Sequence, residues 1–266
     1  MKTNFHTHTT FCDGKNTAEE IVLSAIKKGF DAIGFSGHGY TDYDLSYCMK
    51  DTKGYISEIN RLKDKYGKEI EIYLGVEEDA FCPVNRQEFD YIIGSCHYFK
   101  IGGEYRAIDS SYDNFKECVE LFGGNPINMA ENYYGAFCDY IKRRKPDIVG
   151  HFDLITKYDE IDGFKFLKSN EYLSLSEKYI EDVSKSEVIF EVNTGAIARG
   201  YRASPYPNEN LLHILKKKNA NLILSADSHN VDTLDFNFKE TRKYLRDFGF
   251  EYVYTINGGK FVKDYL

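Results

Sequence analysis

Six of the seven histidines close short apolar runs: His6 and His8 in NFHTHTT, His38 in GFSGHG, His97 in IIGSCHY, His151 in DIVGHFD and His229 in LILSADSH. Glu77 ends another such run in YLGVEED, and Asp227 shares the last cluster. Imidazole and carboxylate donors at successive strand ends suit a hydrolytic site built on more than one metal ion. In a strand, residues i and i+2 face the same way, so His6 and His8 can reach one ion. Asp227 and His229 repeat that spacing. The glycines flanking His38 admit close backbone approach. Asp13 follows the first pair in FCDGKN, where a turn aspartate is the plainer reading of the residue alone. Together these six histidines and three carboxylates exceed what one tetrahedral ion takes and fit a cluster of two or three. His213, inside the helical stretch NLLHILKKK, reads as structural.

The elements that must carry these donors are short. Apolar runs predict strands over 2–6, 31–36, 71–76, 90–95, 147–150, 188–192, 221–226 and 252–256. Several are continuous rather than alternating, as in a parallel sheet covered on both faces. Helical patterns lie between them, over 18–29, 51–66, 112–121, 127–144, 170–186, 208–218 and 236–248. The first is opened by a capping box, Thr17 to Glu20, and closed by Gly29. Strand–helix alternation without a linker predicts one closed α/β barrel spanning 1–266, with an open doubly wound sheet as the alternative. A barrel gathers its strand ends at one rim, which is where the donors stand. The longest irregular stretch, 193–208 (NTGAIARGYRASPYPN), reads as a functional loop.

The bulk properties narrow the partners. A net charge of −8 and a pI near 5.5 argue against a non-specific nucleic-acid binder. A small anionic substrate stays open, because metal ions and local cations set the sign inside a cleft. MKTNFHTHTT has no apolar h-region and no window approaches a membrane span, so a cytoplasmic protein without membrane attachment is expected. The six cysteines (12, 48, 82, 96, 118 and 138) form no CxxC and fit reduced thiols. Cys12 and Cys96, beside candidate ligands, read as small space-filling groups. Oligomeric state is not legible.

The ordered motifs HxH, a downstream acid, GH, GVE, SCH, GHFD and ADSH resemble the polymerase-and-histidinol-phosphatase (PHP) superfamily, in its histidinol-phosphatase branch, over roughly residues 3–260. The resemblance implies a distorted (β/α)7 TIM-like barrel with a trinuclear site. His6, His8, Glu77 and Asp227 would hold the first ion. Glu77 would bridge to a second held by His97 and His151, and Asp13, His38 and His229 would hold the third. Many members carry His where Asp13 stands, and a carboxylate there is a harder, anionic ligand. The implied reaction is hydrolysis of L-histidinol phosphate to L-histidinol and phosphate, in histidine biosynthesis. Two or three Zn, Fe or Mn ions would supply a bridging hydroxide that attacks phosphorus in line.

Asp227, His229 and Arg199 are the expected catalytic set. NTGAIARGY resembles the family's phosphate-binding loop and marks Arg199 as the first phosphate contact, with Lys157 and Arg202 as further candidates. Asn193 is expected to orient that loop, and Ser225 and Ser228 to support the ligands. Tyr40, Tyr43 and Tyr47 are candidates to flank the organic part, and Glu104, Asp109 and Asp42 to meet its ammonium. Two alternatives remain: a phosphoesterase acting on a nucleotide or sugar phosphate, and a non-catalytic metal-binding module.

Overall fold

Short apolar runs such as AIGF and YIIGS can bury both faces, and here they do, as does IFEVN despite its Glu191, in a nine-stranded sheet. The computed structural model describes residues 1–162 and 166–266. The strands are β1 (Thr3–Asn4), β2 (Ala32–Phe35), β3 (Glu71–Asp79), β4 (Tyr91–Ser95), β5 (Tyr98–Ile101), β6 (Glu104–Ala107), β7 (Ile148–Val149), β8 (Ile189–Asn193), β9 (Asn221–Ser225), β10 (Tyr252–Asn257) and β11 (Lys260–Tyr265). The sheet order is β1-β2-β3-β4-β7-β8-β9-β10-β11. Every neighbouring pair is parallel except β10–β11.

The first seven strands of this order curl until their ends meet. Thr7 bridges Ser228 in parallel, the His8 amide donates to the Ser228 carbonyl at 2.8 Å, and the Ser228 amide donates to the His6 carbonyl at 3.0 Å. That contact joins the seventh strand to the first and makes a distorted seven-stranded TIM-like barrel. Lower in the same seam β10 enters instead, pairing Tyr254 with Ile223 and bringing Thr255 Oγ1 to 2.8 Å from Thr3 Oγ1.

Phe5, Ala32, Tyr73, Tyr91, Ile93, Ile148, Ile189, Ile223 and Ile256 fill the barrel interior. Strand periodicity carries the same face upward from this plug into the mouth. Tyr73 leads to Glu77, Tyr91 and Ile93 to Ser95 and His97, Ile189 to Glu191 and Asn193, and Ile223 to Ser225 and Asp227.

The helices are α1 (Ala18–Lys27), α2 (Thr52–Tyr66), α3 (Tyr112–Leu121), α4 (Pro126–Arg144), α5 (Asp159–Asp162), α6 (Asn170–Val183), α7 (Gly195–Ala198), α8 (Glu209–Lys217) and α9 (Phe238–Asp247). α1 and α2 bury Ile21, Val22, Tyr55, Ile59 and Leu62 against β2 and β3. α4, α6 and α8 build a larger aromatic layer around Tyr133, Tyr134, Phe137, Tyr172 and Phe190. The Thr17–Glu20 capping box is present, and Gly29 leaves α1 at φ +72°. No helix among the described residues is long and apolar enough to cross a membrane.

Three elements depart from expectation. The hairpin β5–β6 and the edge strand β11 are partly solvated, so they mix polar and apolar side chains instead of forming apolar runs. β3 runs on to Asp79, because Glu77, Glu78 and Asp79 are buried rather than forming an acidic turn in solvent.

Candidate metal centre

All nine predicted donors converge at the C-terminal mouth of the barrel. His8, Asp13, His38 and His229 present donor atoms within 4.8 Å of one another. The same holds for His6, Glu77 and His151, for His6, His8 and Asp227, and for His38, Glu77 and His97. These sets share members, so they form one continuous cluster. Glu77 sits at its centre. Its Oε2 lies 2.8 Å from His38 Nδ1 and 3.4 Å from His6 Nε2. Its Oε1 accepts from Ser95 Oγ at 2.6 Å and lies 3.0 Å from His151 Nε2.

Among the described residues, five buried polar atoms of this cluster make no well-aligned hydrogen bond: His6 Nε2, His8 Nε2, Glu77 Oε2, His97 Nδ1 and His151 Nδ1. Leaving such an atom unmet in a dry interior costs about 1–3 kcal/mol. Borderline nitrogen donors and carboxylate oxygens facing a common space are what Zn, Fe or Mn ions take up. The residues therefore fit divalent ions.

Burial opposes charge on every group here, and the neighbours decide the outcome. For His6, burial is outweighed by Glu191, Glu77 and Asp227, which hold its proton well above the ordinary imidazole range. His38 is raised in the same way by Glu77 and Asp13. His8 goes down to about 3, through burial and the positive charge of His229 and His38. Burial pushes the carboxyls up, yet Glu77 is lowered by His6 and His38, Asp13 by His38 and His229, and Asp227 by Arg199 and His6. The carboxylates thus stay ionised, and His8 is a neutral donor.

Supporting groups surround the donors, and one of them, Glu191, escaped the sequence reading. Its Oε1 is 2.6 Å from His6 Nδ1, and its Oε2 accepts from the His151 amide and from Asn193 Nδ2, both at 2.9 Å. The available signal was parity: a glutamate inside VIFEVN, two residues before Asn193. Asp79 was missed too. It accepts from the His97 amide at 3.1 Å and from Tyr43 Oη at 2.6 Å. Glu78 faces the opposite way and is bound by Arg144, Tyr140 Oη and the Val84 amide. Asn193 holds the following loop as expected, its Oδ1 accepting from the Gly195 amide at 2.8 Å.

Above the cluster opens a cleft of about 320 Å³, lined by the donors Asp13, His38, His97 and His229 and by Tyr47, Tyr98, Asp109, Lys157 and Arg199. Arg199 Nη2 is 2.8 Å from Asp227 Oδ2, and Nη1 donates to the Asp227 carbonyl at 3.1 Å. Lys157 Nζ donates to the Asp109 carbonyl at 2.6 Å and lies 3.2 Å from its carboxylate.

Arg202 is a correction, because it does not line the cleft. Its guanidinium turns inward over the Tyr206 ring, donates to Thr156 Oγ1 at 2.6 Å and faces Asp153. The buried Asp153 attracts it more strongly than the mouth does. Tyr40 is exposed, and Tyr43 stacks on Tyr105 beside the cleft. Glu104 pairs with Arg106 on the exposed hairpin, and Asp42 faces solvent. Ser228 Oγ bonds Asn230 O instead of a ligand, and among the described residues Ser225 Oγ has no hydrogen-bond partner. His213 is exposed on α8 beside Glu209 and Phe248. Cys96 is buried filler, and Cys12 Sγ packs 3.6 Å from His8 Nδ1.

The family model of the PHP domain matches residues 4–195. A Schizosaccharomyces pombe protein named "Probable histidinol-phosphatase" is 28% identical over 92% of this chain and 86% of its own. The histidinol-phosphatase of Bacillus subtilis is 25% identical, over 90% of this chain and 97% of its own. A histidinol phosphate phosphatase of Lactococcus lactis, crystallised with zinc, L-histidinol and phosphate, superposes with a TM-score of 0.74 at 22% identity. That likeness covers 98% of this chain and 99% of the other.

Proposed function

Because this chain belongs to the PHP domain family, we propose that it is a metal-dependent phosphomonoesterase hydrolysing L-histidinol phosphate to L-histidinol and phosphate. The names of its relatives and the ligands of the Lactococcus lactis structure support that substrate. The observation that carries the proposal is the convergence of nine donors, several with unmet buried atoms, beneath a cleft walled by Arg199. It also disfavours a purely structural role, which has no use for so many polar groups in one dry mouth.

In this reading His6, His8, Glu77 and Asp227 would hold one ion, Glu77 with His97 and His151 a second, and Asp13, His38 and His229 a third. When bound, such ions supply the Lewis acidity and the activated water that phosphomonoester hydrolysis needs at neutral pH. Arg199 offers its guanidinium fork to the phosphoryl oxygens, and Asp227 keeps the fork turned toward them. Lys157 adds a second positive charge to the cleft lining, steadied by Asp109. Asp109 and Tyr47 face the space left for the ammonium and imidazole of the substrate. Asp227 and His229 stand against the reacting group from below. A small-molecule substrate and a cytoplasmic place of work complete the proposal, the latter supported by six free cysteines.

The test is phosphate release from L-histidinol phosphate beside a panel of nucleotide and sugar phosphates. A preference above tenfold in kcat/KM, or about 1.4 kcal/mol in transition-state binding, is expected. Turnover of other panel members but not L-histidinol phosphate would discard the substrate. Bound metal without any turnover would discard the enzyme.

A further inference from the structure

We propose that Glu191 is a positioning residue that fixes the ring tautomer of His6 and so aims His6 Nε2 at a metal ion. The inference rests on the metal centre proposed above.

Glu191 sits in the middle of β8 and is only 1% exposed. Among the described residues its only ion-pairing partner is His6. A buried carboxylate without Lys or Arg is costly, and a leucine or glutamine would fill the same strand position more cheaply. Its bonds show what the charge does. Oε1 lies 2.6 Å from His6 Nδ1, while Oε2 is saturated by the His151 amide and Asn193 Nδ2.

A carboxylate only accepts. In the neutral ring that a metal ion requires, the proton must therefore sit on Nδ1, leaving the lone pair on Nε2. Among the described residues that Nε2 has no hydrogen-bond partner; it is buried 3.4 Å from Glu77 Oε2 and 3.7 Å from Asp227 Oδ1. Both neighbours are oxygens of the expected ligand set, so the lone pair points into the space an ion would share with them. A glutamine at 191 could present its NH2 to Nδ1 instead. The proton would then move to Nε2 and block the donor.

The same carboxylate ties three strand ends together. It joins His6 after β1 to the His151 backbone after β7. Through Asn193, whose Oδ1 holds the Gly195 amide, it also reaches the turn carrying Arg199. Glu191 thereby sets the spacing between ligands and phosphate fork as well as the tautomer.

The experiment compares zinc-loaded wild-type protein with Glu191→Gln. Competition against a chelator is expected to show one ion of the cluster bound about 10- to 100-fold more weakly in Glu191→Gln, with the others held as before. Unchanged affinity for every ion, or an equal loss of all of them, would overturn the proposal. The second readout needs no variant: nitrogen-15 spectra of the histidine-labelled, zinc-loaded wild-type protein. They are expected to show His6 protonated at Nδ1, with Nε2 unprotonated and bound to zinc; the reverse tautomer would overturn the proposal even if Glu191→Gln does not fold. Neither readout uses turnover, so a protein that binds zinc yet leaves L-histidinol phosphate intact still decides the role of Glu191.

Discussion

Arg199 and Arg202 lie three residues apart in one loop, and the structure sends them in opposite directions. Arg199 reaches the cleft and Asp227; Arg202 is buried beneath Tyr206, beside Thr156 and Asp153. Spacing in a loop without periodicity could not distinguish them, which is why both were candidates. Replacing Arg199 by Met should remove a charge-assisted contact worth about 1.5–3 kcal/mol. The expected result is a fall of about 10- to 100-fold in kcat/KM for L-histidinol phosphate, with bound metal unchanged. Eight of the nine candidate donors stood out because they close apolar runs and pairs recur at i, i+2, whereas Asp13, in the turn FCDGKN, was marked only by the family resemblance. Glu191 and Asp79 were not, because a carboxylate that holds a ligand rather than a metal carries no motif of its own. The charges make a further prediction. His6 and His38 hold their protons well above the ordinary imidazole range without metal, despite burial, because carboxylates surround them. They are protonated at neutral pH and must lose protons to bind an ion. Zinc binding at pH 7 should release protons and tighten as pH rises, read by calorimetry in buffers of different ionisation enthalpy. Binding with no proton release would contradict the assigned charges.

Among the elements, the strands of the barrel were readable because most bury both faces and carry short apolar cores such as AIGF, YIIGS and LIL. The hairpin β5–β6 was not, although it overhangs the cleft. It is partly wet, its strands mix polar and apolar residues, and its signal reduces to Gly102–Gly103 at the tip, both at positive φ. Other glycines act through space rather than torsion. A Cβ at Gly75 on β3 would meet the Tyr91 ring at 2.2 Å. Tyr91 cannot step aside, since its hydroxyl donates to the Phe5 and Phe35 carbonyls from inside the barrel. Gly75→Ala should therefore cost about 1–3 kcal/mol through overpacking, read by denaturant unfolding. An unchanged midpoint would mean that the interior yields more readily than its bonds imply.

At the scale of the whole molecule, the barrel is closed by little. β1 contributes two strand residues, and the last contact before the mouth is the Thr7–Ser228 bridge. That bridge lies between His6 and His8 on one side and Asp227 and His229 on the other. Ions held by both sides would clamp the seam, so ligation and closure support each other. Zinc at a hundredfold excess over its dissociation constant should add about 2.7 kcal/mol to stability and raise Tm, and chelation should reverse it. That the barrel closes was expected from the strand–helix alternation; the contact that closes it was not legible, because it joins two short segments more than 200 residues apart.

The most direct test of the account is a titration of metal-stripped protein with zinc or manganese, reading bound ions and phosphate release from L-histidinol phosphate in the same samples. The account predicts that turnover is absent from stripped protein and appears only as two to three ions per chain are taken up. Full turnover without metal, or a filled site that releases no phosphate, would contradict it.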